Sequence, residues 1–360
     1  MIFKAPELRD KELKVLDEIS KIRKQVKYAT STPRQWSGML RRNLLAGAIR
    51  GSNSIEGYNA SVEDAIAVVQ HEEPFAAEGE TWQALRGYRN AMTFVLQLAR
   101  DPNFTYQEGF IRSLHYMMIY YDLSKNPGNW RPGAIFVRDE ARNVVVYEGP
   151  PRETVEPLMA EFITSLNAKS NAPEIIKAAM AHLNLVMIHP FSDGNGRMAR
   201  CLQTLVLARE GILEPEFCSV EEYLGRVQQK YYDVLAKVGA GSWHPERDTR
   251  SWIRFMLTAH LAQAYRILWA TTQLDKLWDE AMRIGAERGI PERALQPVVD
   301  ATIGLRIRNS SYRKFANISE NLASRDLKQL VDAKLLVPSG EKRGRVYVAS
   351  KELGSYEHVW

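Results

Sequence analysis

The sequence predicts a mainly α-helical protein that contains one β-hairpin and ends in a winged-helix-like unit. Three observations lead to this fold class. Apolar residues recur three and four positions apart through most of the chain, as they do on the buried face of a helix. Residues 134–147 break that rhythm with two apolar runs that are typical of a hairpin. Residues 322–348 break it again, with a short helix followed by two short strands around a basic turn.

Helical periodicity covers ten segments. They are Lys11–Tyr28, Gln35–Ile49, Val62–His71, Thr81–Leu98, Tyr106–Tyr120, Val155–Leu166, Ile175–Ile188, Arg197–Glu210, Val220–Val238 and Arg250–Ile284. Ser31-Thr32-Pro33 and Asn171-Ala172-Pro173-Glu174 are typical of helix N-termini, whereas Asp101-Pro102-Asn103 and Gly211 are typical of breaks. We divide the chain into an N-terminal helical region (1–100), a core (101–260), a helical linker (261–300) and a winged-helix-like domain (301–360).

Composition limits the class of protein. A chain of 360 residues with 45% apolar and 25% charged residues is long enough for two or three ordinary globular domains. No apolar run reaches the length of about 18 residues that a membrane span needs. The first residues become charged too early for a signal peptide. Because the chain has only Cys201 and Cys218, we expect no disulfide framework and a cytoplasmic location.

The net charge of +5 is concentrated near the C-terminus. Residues 301–360 contain eleven Lys and Arg residues and six Asp and Glu residues. They therefore carry the whole net charge, and the first 300 residues are neutral overall. Arg325 and Lys328 lie on the predicted helix of the winged-helix-like unit, and Lys342-Arg343-Gly344-Arg345 lie in its turn. This layout suits phosphate contacts with DNA. A solvated basic face and a protein-docking surface remain alternatives.

The stretch that says most about function is His189–Arg200, HPFSDGNGRMAR, between two apolar helical segments. Pro190 disfavours helix at His189, so we predict that one helix ends there and the next begins near Arg197. Gly194 and Gly196 permit a backbone that turns successive N–H groups toward one point, which is a nest for an anion.

The charged residues of the stretch point to the same chemistry. Arg197 and Arg200 oppose the dipole of the helix that they begin, at a cost of about 0.3–1 kcal/mol each, which is reasonable if phosphates bind there. Asp193 is a hard oxygen ligand that suits Mg²⁺. His189 has the near-neutral pKa of a general base. Each residue alone would fit an ordinary turn, but together they predict a catalytic anion site.

This stretch resembles, with no departure, the signature HPFxDGNGRxxR of the Fic (filamentation induced by cAMP) family. Members of that family are mostly adenylyltransferases, which move AMP from ATP to a Ser, Thr or Tyr hydroxyl of a protein. The resemblance implies a Fic-type helical bundle with a β-hairpin flap, in which Phe191 packs the loop. It implies that His189 deprotonates the target hydroxyl, Asp193 holds Mg²⁺, Gly194, Asn195 and Gly196 surround the α- and β-phosphates, Arg197 binds the β-phosphate side, and Arg200 binds the γ-phosphate.

A second stretch, Ser52-Asn53-Ser54-Ile55-Glu56-Gly57, resembles the family's inhibitory pattern Ser/Thr-x-x-x-Glu-Gly/Asn. The resemblance implies that Glu56, on a helix N-terminal to the core, pairs with Arg200 and blocks the γ-phosphate. Two anions would then compete for one guanidinium. A capping-box-like pair of Asn53 and Glu56, or a chance match that begins at Ser52, is the alternative.

Two further stretches resemble parts of the family. Trp130-Arg131-Pro132-Gly133 and the hairpin Ile135–Tyr147 resemble the flap that binds the target protein by strand addition. Tyr231-Tyr232 resembles a Tyr pair that lines the adenine pocket, and we assign Tyr231 to nucleotide binding, with core packing as the alternative.

The sequence therefore predicts an autoinhibited protein adenylyltransferase with Mg²⁺ as cofactor and ATP as substrate. One alternative is de-AMPylation, or transfer of another phosphate-containing group, by the same site. Another is a nucleotide-responsive regulator that binds DNA through its C-terminal domain. The sequence leaves self-modification and a homodimer open and predicts no membrane partner.

Overall fold

The computed structural model describes residues 1–31, 34–139, 144–209, 211, 217–341 and 344–353. These residues form fourteen α-helices and five short β-strands, which confirms the mainly α class. The helices are α1 Asp10–Ser31, α2 Ser37–Ile55, α3 Val62–Val69, α4 Gly79–Leu98, α5 Glu108–Ile119, α6 Val155–Asn167, α7 Glu174–Ile188, α8 Asn195–Ala208, α9 Glu221–Arg226, α10 Gln228–Gly239, α11 Arg250–Arg288, α12 Leu295–Thr302, α13 Asn309–Ala316 and α14 Glu320–Asp332. The strands are β1 Phe136–Asp139, β2 Val144–Glu148, β3 Gly241–Ser242, β4 Leu336–Ser339 and β5 Val346–Ala349.

Helices α7 and α8 form the centre of the fold and pack extensively against each other. Every residue of α8 except Gly196 is buried, because α4, α5 and α2 cover its other faces. The loop 189–194 joins these two helices. The two arginines at the start of α8 therefore lie inside the protein rather than on its surface.

Close packing between glycines brings α2 to this centre. A Cβ added to Gly51 would lie 2.5 Å from the Glu221 carbonyl oxygen, and one added to Gly225 would lie 2.9 Å from the Gly51 Cα. No side chain fits at either position, so the backbones of α2 and α9 come into direct contact. This contact places the C-terminal end of α2 beside the start of α8.

The single helix predicted over Val220–Val238 is wrong. Helix α9 ends at Arg226, and α10 begins at Gln228 after a non-helical Val227. The break turns α10 toward the end of α2, where Gln228 and Tyr232 donate side-chain hydrogen bonds to the Ile55 carbonyl at 3.0 and 2.8 Å. These tertiary contacts bind a carbonyl that the end of α2 leaves free.

The predicted hairpin is present. β1 pairs antiparallel with β2, with an irregularity between Val137 and Arg138. β2 also pairs, in parallel, with the short β3, so β1 is an edge strand of this sheet. The connection at residues 140–143 lies outside the described residues, as does the Thr32-Pro33 part of the predicted helix start.

The predicted domain boundary at residue 260 falls inside α11, a continuous helix of 39 residues. Ile267 and Leu274, which lie beyond the boundary, are buried, and α11 packs along α1. Residues 261–288 are therefore part of the helical core rather than a linker. None of the described helices combines the length and apolar character that crossing a membrane requires.

The C-terminal unit has the order of elements predicted for a winged-helix-like domain. α12, α13 and α14 are followed by the antiparallel strands β4 and β5, and Ile307 forms a bridge with Tyr347. This unit is docked on the N-terminal region: Arg42 forms a buried bidentate ion pair with Asp300, at 2.6 and 3.1 Å. Lys342 and Arg343 of the predicted turn lie outside the described residues.

Candidate active site

The loop between α7 and α8 has the geometry that Pro190 and Gly194 predict. Helix α7 ends at Ile188, and His189 takes the left-handed conformation with φ 50° and ψ 56°. Gly194, with φ 75°, precedes the first residue of α8. The second helix thus begins at Asn195, two residues earlier than predicted, and its free N–H groups face the loop.

The loop is held by two side chains. The Asn195 amide accepts a hydrogen bond from the Phe191 N–H and donates one to the Phe191 carbonyl, both at 2.9 Å. The imidazole of His115 stacks on the Phe191 ring with centroids 3.7 Å apart. The Asn195 side chain therefore braces the loop, in addition to the phosphate contact that the family resemblance implies for this residue.

His115 is a residue that the sequence analysis did not single out. Its Nδ1 accepts a hydrogen bond from the Gly128 N–H at 2.8 Å, and its Nε2 then donates to the Asp193 carbonyl at 3.0 Å. Burial lowers the pKa of His115 to about 4, so the ring is neutral. These two hydrogen bonds fix the tautomer of His115 and hold the loop at a fixed distance from α5.

His189 has the environment of a general base. Its Nδ1 donates to the Val186 carbonyl at 3.0 Å, which leaves the Nε2 lone pair for another proton. Burial lowers the pKa of His189 below its ordinary value, and the positive charge of Arg131 acts in the same direction. The ring is therefore neutral at neutral pH and able to accept a proton.

Arg197 and Arg200 are buried cations with unused donors. Their side chains are 0% and 1% exposed. Arg197 donates from Nη1 to the Tyr121 hydroxyl at 3.1 Å, but its Nε and Nη2 have no hydrogen-bond partner in the described structure. The Nη1 of Arg200 is also without one. Because a buried unpaired donor is unfavourable, these atoms suit an anion with several oxygen acceptors.

Asp193 is positioned as a single carboxylate among cations. Its Oδ2 lies 3.1 Å from the Lys125 Nζ and 3.7 Å from the Arg197 Nη2. Burial raises the pKa of the Asp193 carboxyl, but these two cations more than offset it, so the pKa lies below its ordinary value. The described residues contain no cluster of three or more His, Cys, Asp or Glu that could hold a metal. One ionised carboxylate beside a phosphate site is nevertheless a fitting donor set for Mg²⁺, which binds proteins through one or two carboxylates plus substrate phosphates.

The end of α2 lies over the first turn of α8. Glu56 follows the last residue of α2, and its Oε1 accepts a hydrogen bond from the Arg200 Nη2 at 2.6 Å. Ser52 binds the same guanidinium twice, through its hydroxyl at 2.8 Å and its carbonyl at 3.0 Å. A Cβ added to Gly196 would lie 2.5 Å from the Glu56 Oε1. The structure thus pairs Glu56 with Arg200, as the resemblance implied, and adds two contacts of Ser52 to the same guanidinium.

The structure does not open Tyr231 to a ligand. Its side chain is 1% exposed, and its hydroxyl bonds the Nε2 of the buried His182 at 2.9 Å. The ring lies 6.0 Å from the Arg200 Cζ, so Tyr231 supports that guanidinium from the core. Tyr232, the next residue of α10, is 40% exposed. The assignment of Tyr231 as a base contact is therefore corrected, because the helix turns Tyr232 rather than Tyr231 toward solvent.

Two more residues that the sequence analysis did not assign to the site belong to its surroundings. The Lys125 Nζ bonds the Tyr58 hydroxyl at 3.2 Å and the Glu80 Oε1 at 2.9 Å, in addition to its contact with Asp193. The Tyr58 ring lies 5.2 Å from the Arg197 Cζ. These contacts join residues far apart in the chain, so no local pattern in the sequence indicated them.

Replacement of Gly194 by Ala tests the loop geometry. The positive φ costs about 1–2 kcal/mol in an L-residue, and the new Cβ would lie 2.6 Å from the Ile119 Cδ1. We expect a lower free energy of unfolding and weaker ATP binding, measured by denaturation and calorimetry. Gly289→Ala is the matched control, because Gly289 has φ 66° and no atom of the described residues lies within 4 Å of an added Cβ. An equal loss of stability in both variants would contradict the close fit at Gly194.

Comparison with known proteins identifies the region that contains the loop. Residues 105–207 match the sequence model of the Fic/DOC family. The protein adenylyltransferase Fic of Culex quinquefasciatus is 36% identical over 141 residues, which are 38% of this chain and 26% of the relative. The protein of the same name from Nematostella vectensis is 28% identical over 212 residues, 57% of this chain and 44% of the relative. The chain thus spans about a quarter to a half of the length of these relatives.

Two solved structures share the fold. A Fic family protein from Desulfovibrio desulfuricans superimposes with a TM-score of 0.61 and 20% identity, over 97% of this chain and 99% of that one. A Fic-1 structure from C. elegans gives a TM-score of 0.59 and 22% identity, over 73% of each chain. The first likeness extends through the N-terminal and C-terminal helices as well as the central helices.

Proposed function

We propose that this chain is a protein adenylyltransferase that uses ATP, on the basis of the match between its residues 105–207 and the Fic/DOC family. The observation that carries this proposal is the pair of buried arginines whose donors lack hydrogen-bond partners among the described residues, near a histidine that bonds the described backbone through Nδ1. Nucleotide binding alone needs no proton acceptor. The names of the relatives from Culex and Nematostella support AMP as the transferred group.

In the proposed reaction a target hydroxyl meets the α-phosphate of ATP at the loop. The Nε2 of His189 accepts the hydroxyl proton while the hydroxyl oxygen forms a bond to the α-phosphorus. The bond between that phosphorus and the bridging oxygen to the β-phosphate breaks, and pyrophosphate leaves with its electron pair. The half-buried ring and its fixed tautomer hold the acceptor nitrogen in place, which is the contribution expected of a general base.

The start of α8 stabilises the charge that develops. The N–H groups of Asn195 and Gly196, at the start of α8, suit phosphate oxygens. The Gly194 N–H donates to the Asp193 Oδ1 at 2.6 Å and would have to leave that carboxylate to join them. Arg197 and Arg200 would bind the outer phosphates through the donors that are free in this structure. Asp193 would hold Mg²⁺, which neutralises phosphate charge when bound.

Glu56 makes the site autoinhibited in this proposal. Its carboxylate binds Arg200 and lies against Gly196, in the region that the outer phosphate would occupy. A charge-assisted hydrogen bond contributes about 1.5–3 kcal/mol, so the nucleotide must displace a contact of similar strength to its own. Ser52 binds the Nε and the same Nη2 of this guanidinium and so holds it in place for either anion.

The flap hairpin (Ile135–Tyr147) is the proposed docking site for the target protein. β1 has one side unpaired in the sheet, and Phe136, Val144 and Val145 expose about half of their side chains. A segment of a second copy of this chain would fit the same edge, so self-modification and a homodimer belong to the proposal.

Labelled nucleotides test the transferred group. We expect the full chain with Glu56 replaced by Gly to incorporate label from ATP labelled at the α-phosphate, and none from ATP labelled at the γ-phosphate. Incorporation of γ-label would show phosphate transfer and overturn the proposal. Wild-type protein and a nucleotide-free sample are the controls.

The rate should depend on pH through His189. The neutral ring is the active form, and burial lowers its pKa below the ordinary value of 6.5. We therefore expect the rate of transfer by Glu56→Gly to fall on acidification with a midpoint below pH 6.5. The loss of Glu56, whose charge raises this pKa, moves the fall further toward acid. A rate that falls already above pH 7 would contradict the assignment of His189 as the base.

Removal of AMP by the same site is a second candidate activity. The carboxylate of Glu56 is 25% exposed beside the loop, so it is able to orient a water toward a phosphodiester. Incubation of labelled, pre-modified protein with the wild-type chain tests this activity. Release of AMP that depends on Glu56 would support it, and retention of the label would exclude it.

DNA binding by the C-terminal unit is a third candidate. Arg325 and Lys328 are exposed on α14, the helix that would enter a groove. Other cations of the unit are already engaged: Arg306 pairs with Glu63, and Arg308 stacks on Phe75. A gel shift with duplex DNA that weakens with salt would support binding, and Arg325→Ala/Lys328→Ala should abolish that shift.

A further inference from the structure

The guanidinium of Arg131 joins the catalytic loop to both ends of the flap hairpin. Its Nε donates to the His189 carbonyl at 2.9 Å. One terminal nitrogen donates to the Gly133 carbonyl, just before β1, and the other to the Pro150 carbonyl, just after β2. The three nitrogen atoms of one side chain thus hold three carbonyls that belong to two functional parts of the site.

This side chain is buried and carries its charge without a carboxylate partner among the described residues. Arg131 is 1% exposed, and its hydrogen bonds are to backbone carbonyls. A buried charge is tolerated only when its donors are satisfied, and here the carbonyl dipoles satisfy them. A neutral or shorter side chain would leave these three carbonyls, of which that of Pro150 is buried, without their shared donor, so the position suits the planar fork of arginine.

The neighbouring residues strengthen the same junction. The Arg131 N–H donates to the Pro190 carbonyl at 2.8 Å, and the Trp130 ring lies 5.0 Å from the Phe191 ring. At the other end of the hairpin, a Cβ added to Gly149 would lie 3.8 Å from the His189 Cβ. The flap therefore ends in contact with the histidine, and Arg131 fixes the distance between them.

We propose that Arg131 is a positioning residue that sets the register between the target strand on β1 and the Nε2 of His189. The inference rests on the proposed adenylyl transfer, because it assigns a role within that reaction. A hydroxyl presented by a strand on the flap reaches His189 at a distance that depends on how the hairpin is anchored. Since transfer rates fall steeply with small misplacements, a looser anchor lowers the rate without weakening ATP binding.

Arg131 also affects the base electrostatically. Burial lowers the pKa of His189, the positive charge of Arg131 lowers it as well, and the negative charges of Glu56 and Asp193 act against both. The carbonyl of Val186 binds Nδ1. Loss of the Arg131 charge should therefore raise the pH at which the ring takes up a proton. Arg131→Lys, which loses the fork but keeps the charge, separates this effect from the entry of solvent.

Three full-length variants test this role in the Glu56→Gly background. Arg131→Met removes the donors and the charge, and Arg131→Lys keeps the charge but loses the fork. Arg209→Met is the matched control, because Arg209 also holds three backbone carbonyls, those of Leu98, Asp101 and Phe104, at a place remote from His189.

We expect Arg131→Met to lower kcat for incorporation of α-labelled ATP by about 10- to 100-fold with ATP affinity unchanged, since only geometry at the reacting hydroxyl is lost. Arg131→Lys should also lower kcat but keep the acid limb of the pH profile in place. Arg209→Met should change neither kcat nor the pH profile. A well-folded Arg131→Met with the parent's kcat and pH profile would overturn the proposal, as would an equal fall in kcat for Arg209→Met.

A second readout separates this proposal from the proposed function. In the wild-type chain labelled with ¹⁵N-histidine, the His189 signals are assigned by their loss in His189→Ala. We expect Arg131→Lys to keep the pH midpoint of these signals and Arg131→Met to raise it. If Glu56→Gly transfers no AMP at all, the proposed function fails, whereas an unmoved midpoint in folded Arg131→Met contradicts the role of Arg131 itself.

Discussion

Replacement of Glu56 by Gly is expected to raise incorporation of AMP from ATP by about 10- to 100-fold, from the loss of a charge-assisted contact of about 1.5–3 kcal/mol. The carboxylate binds Arg200 at 2.6 Å and lies against Gly196, so it occupies the place of an outer phosphate. Removing it frees the guanidinium for the nucleotide and also relieves the repulsion between two anions. Label from α-labelled ATP measures the effect.

Two further variants show whether charge or mere loosening releases the site. Glu56→Gln keeps the size of the side chain but loses its charge, so it should give an intermediate rate. Glu12→Gln is the control for loss of a buried carboxylate elsewhere. Glu12 is 1% exposed and binds Arg254 at 2.6 Å, where α1 packs on α11 and away from the loop. It should lower stability without raising the rate. Equal rates for Glu56→Gly and wild type would remove the inhibitory assignment.

Replacement of His189 by Ala is the second large effect. A positioned general base contributes about 10²- to 10⁴-fold, so transfer by Glu56→Gly/His189→Ala should be lower than that of Glu56→Gly by at least the smaller factor. ATP binding should remain, because the arginines and the loop N–H groups are unchanged. Calorimetry measures binding, and α-label measures transfer.

His244→Ala is the control for this change. The His244 side chain is 48% exposed and contacts Glu246, so its loss should leave both binding and transfer as they were. A His189→Ala variant that binds ATP and still transfers AMP at the parent rate would show that another group accepts the proton.

The sequence predicted the parts of the site that depend on local chemistry. Pro190 ends α7, and Gly194 permits the turn before α8. Both effects depend only on neighbouring residues, so the sequence alone predicts where they occur. The start of α8 was placed two residues late, because it depends on the bond between the Asn195 amide and the Phe191 backbone. From residue types alone, an asparagine that holds a loop through its side chain cannot be told from an ordinary asparagine in a turn.

The remainder of the site depends on tertiary packing. Arg131, His115 and Lys125 act on the loop from segments more than fifty residues away in the chain, and each resembles an ordinary helix or loop residue when it is seen alone. The break at Val227 allows both α9 and α10 to contact α2. Helical periodicity in the sequence does not reveal such tertiary contacts. The face of α10 decides that Tyr232, rather than Tyr231, is exposed.

The central claim is that His189 transfers AMP at a site that Glu56 holds closed. The most direct measurement is the intact mass of the wild-type chain, Glu56→Gly and Glu56→Gly/His189→Ala after incubation with Mg²⁺ and ATP. The account predicts an added mass of one or more AMP groups on Glu56→Gly, a small fraction of that on wild type, and none on the double variant. Equal modification of Glu56→Gly and the double variant, or an added mass of phosphate alone, would contradict it.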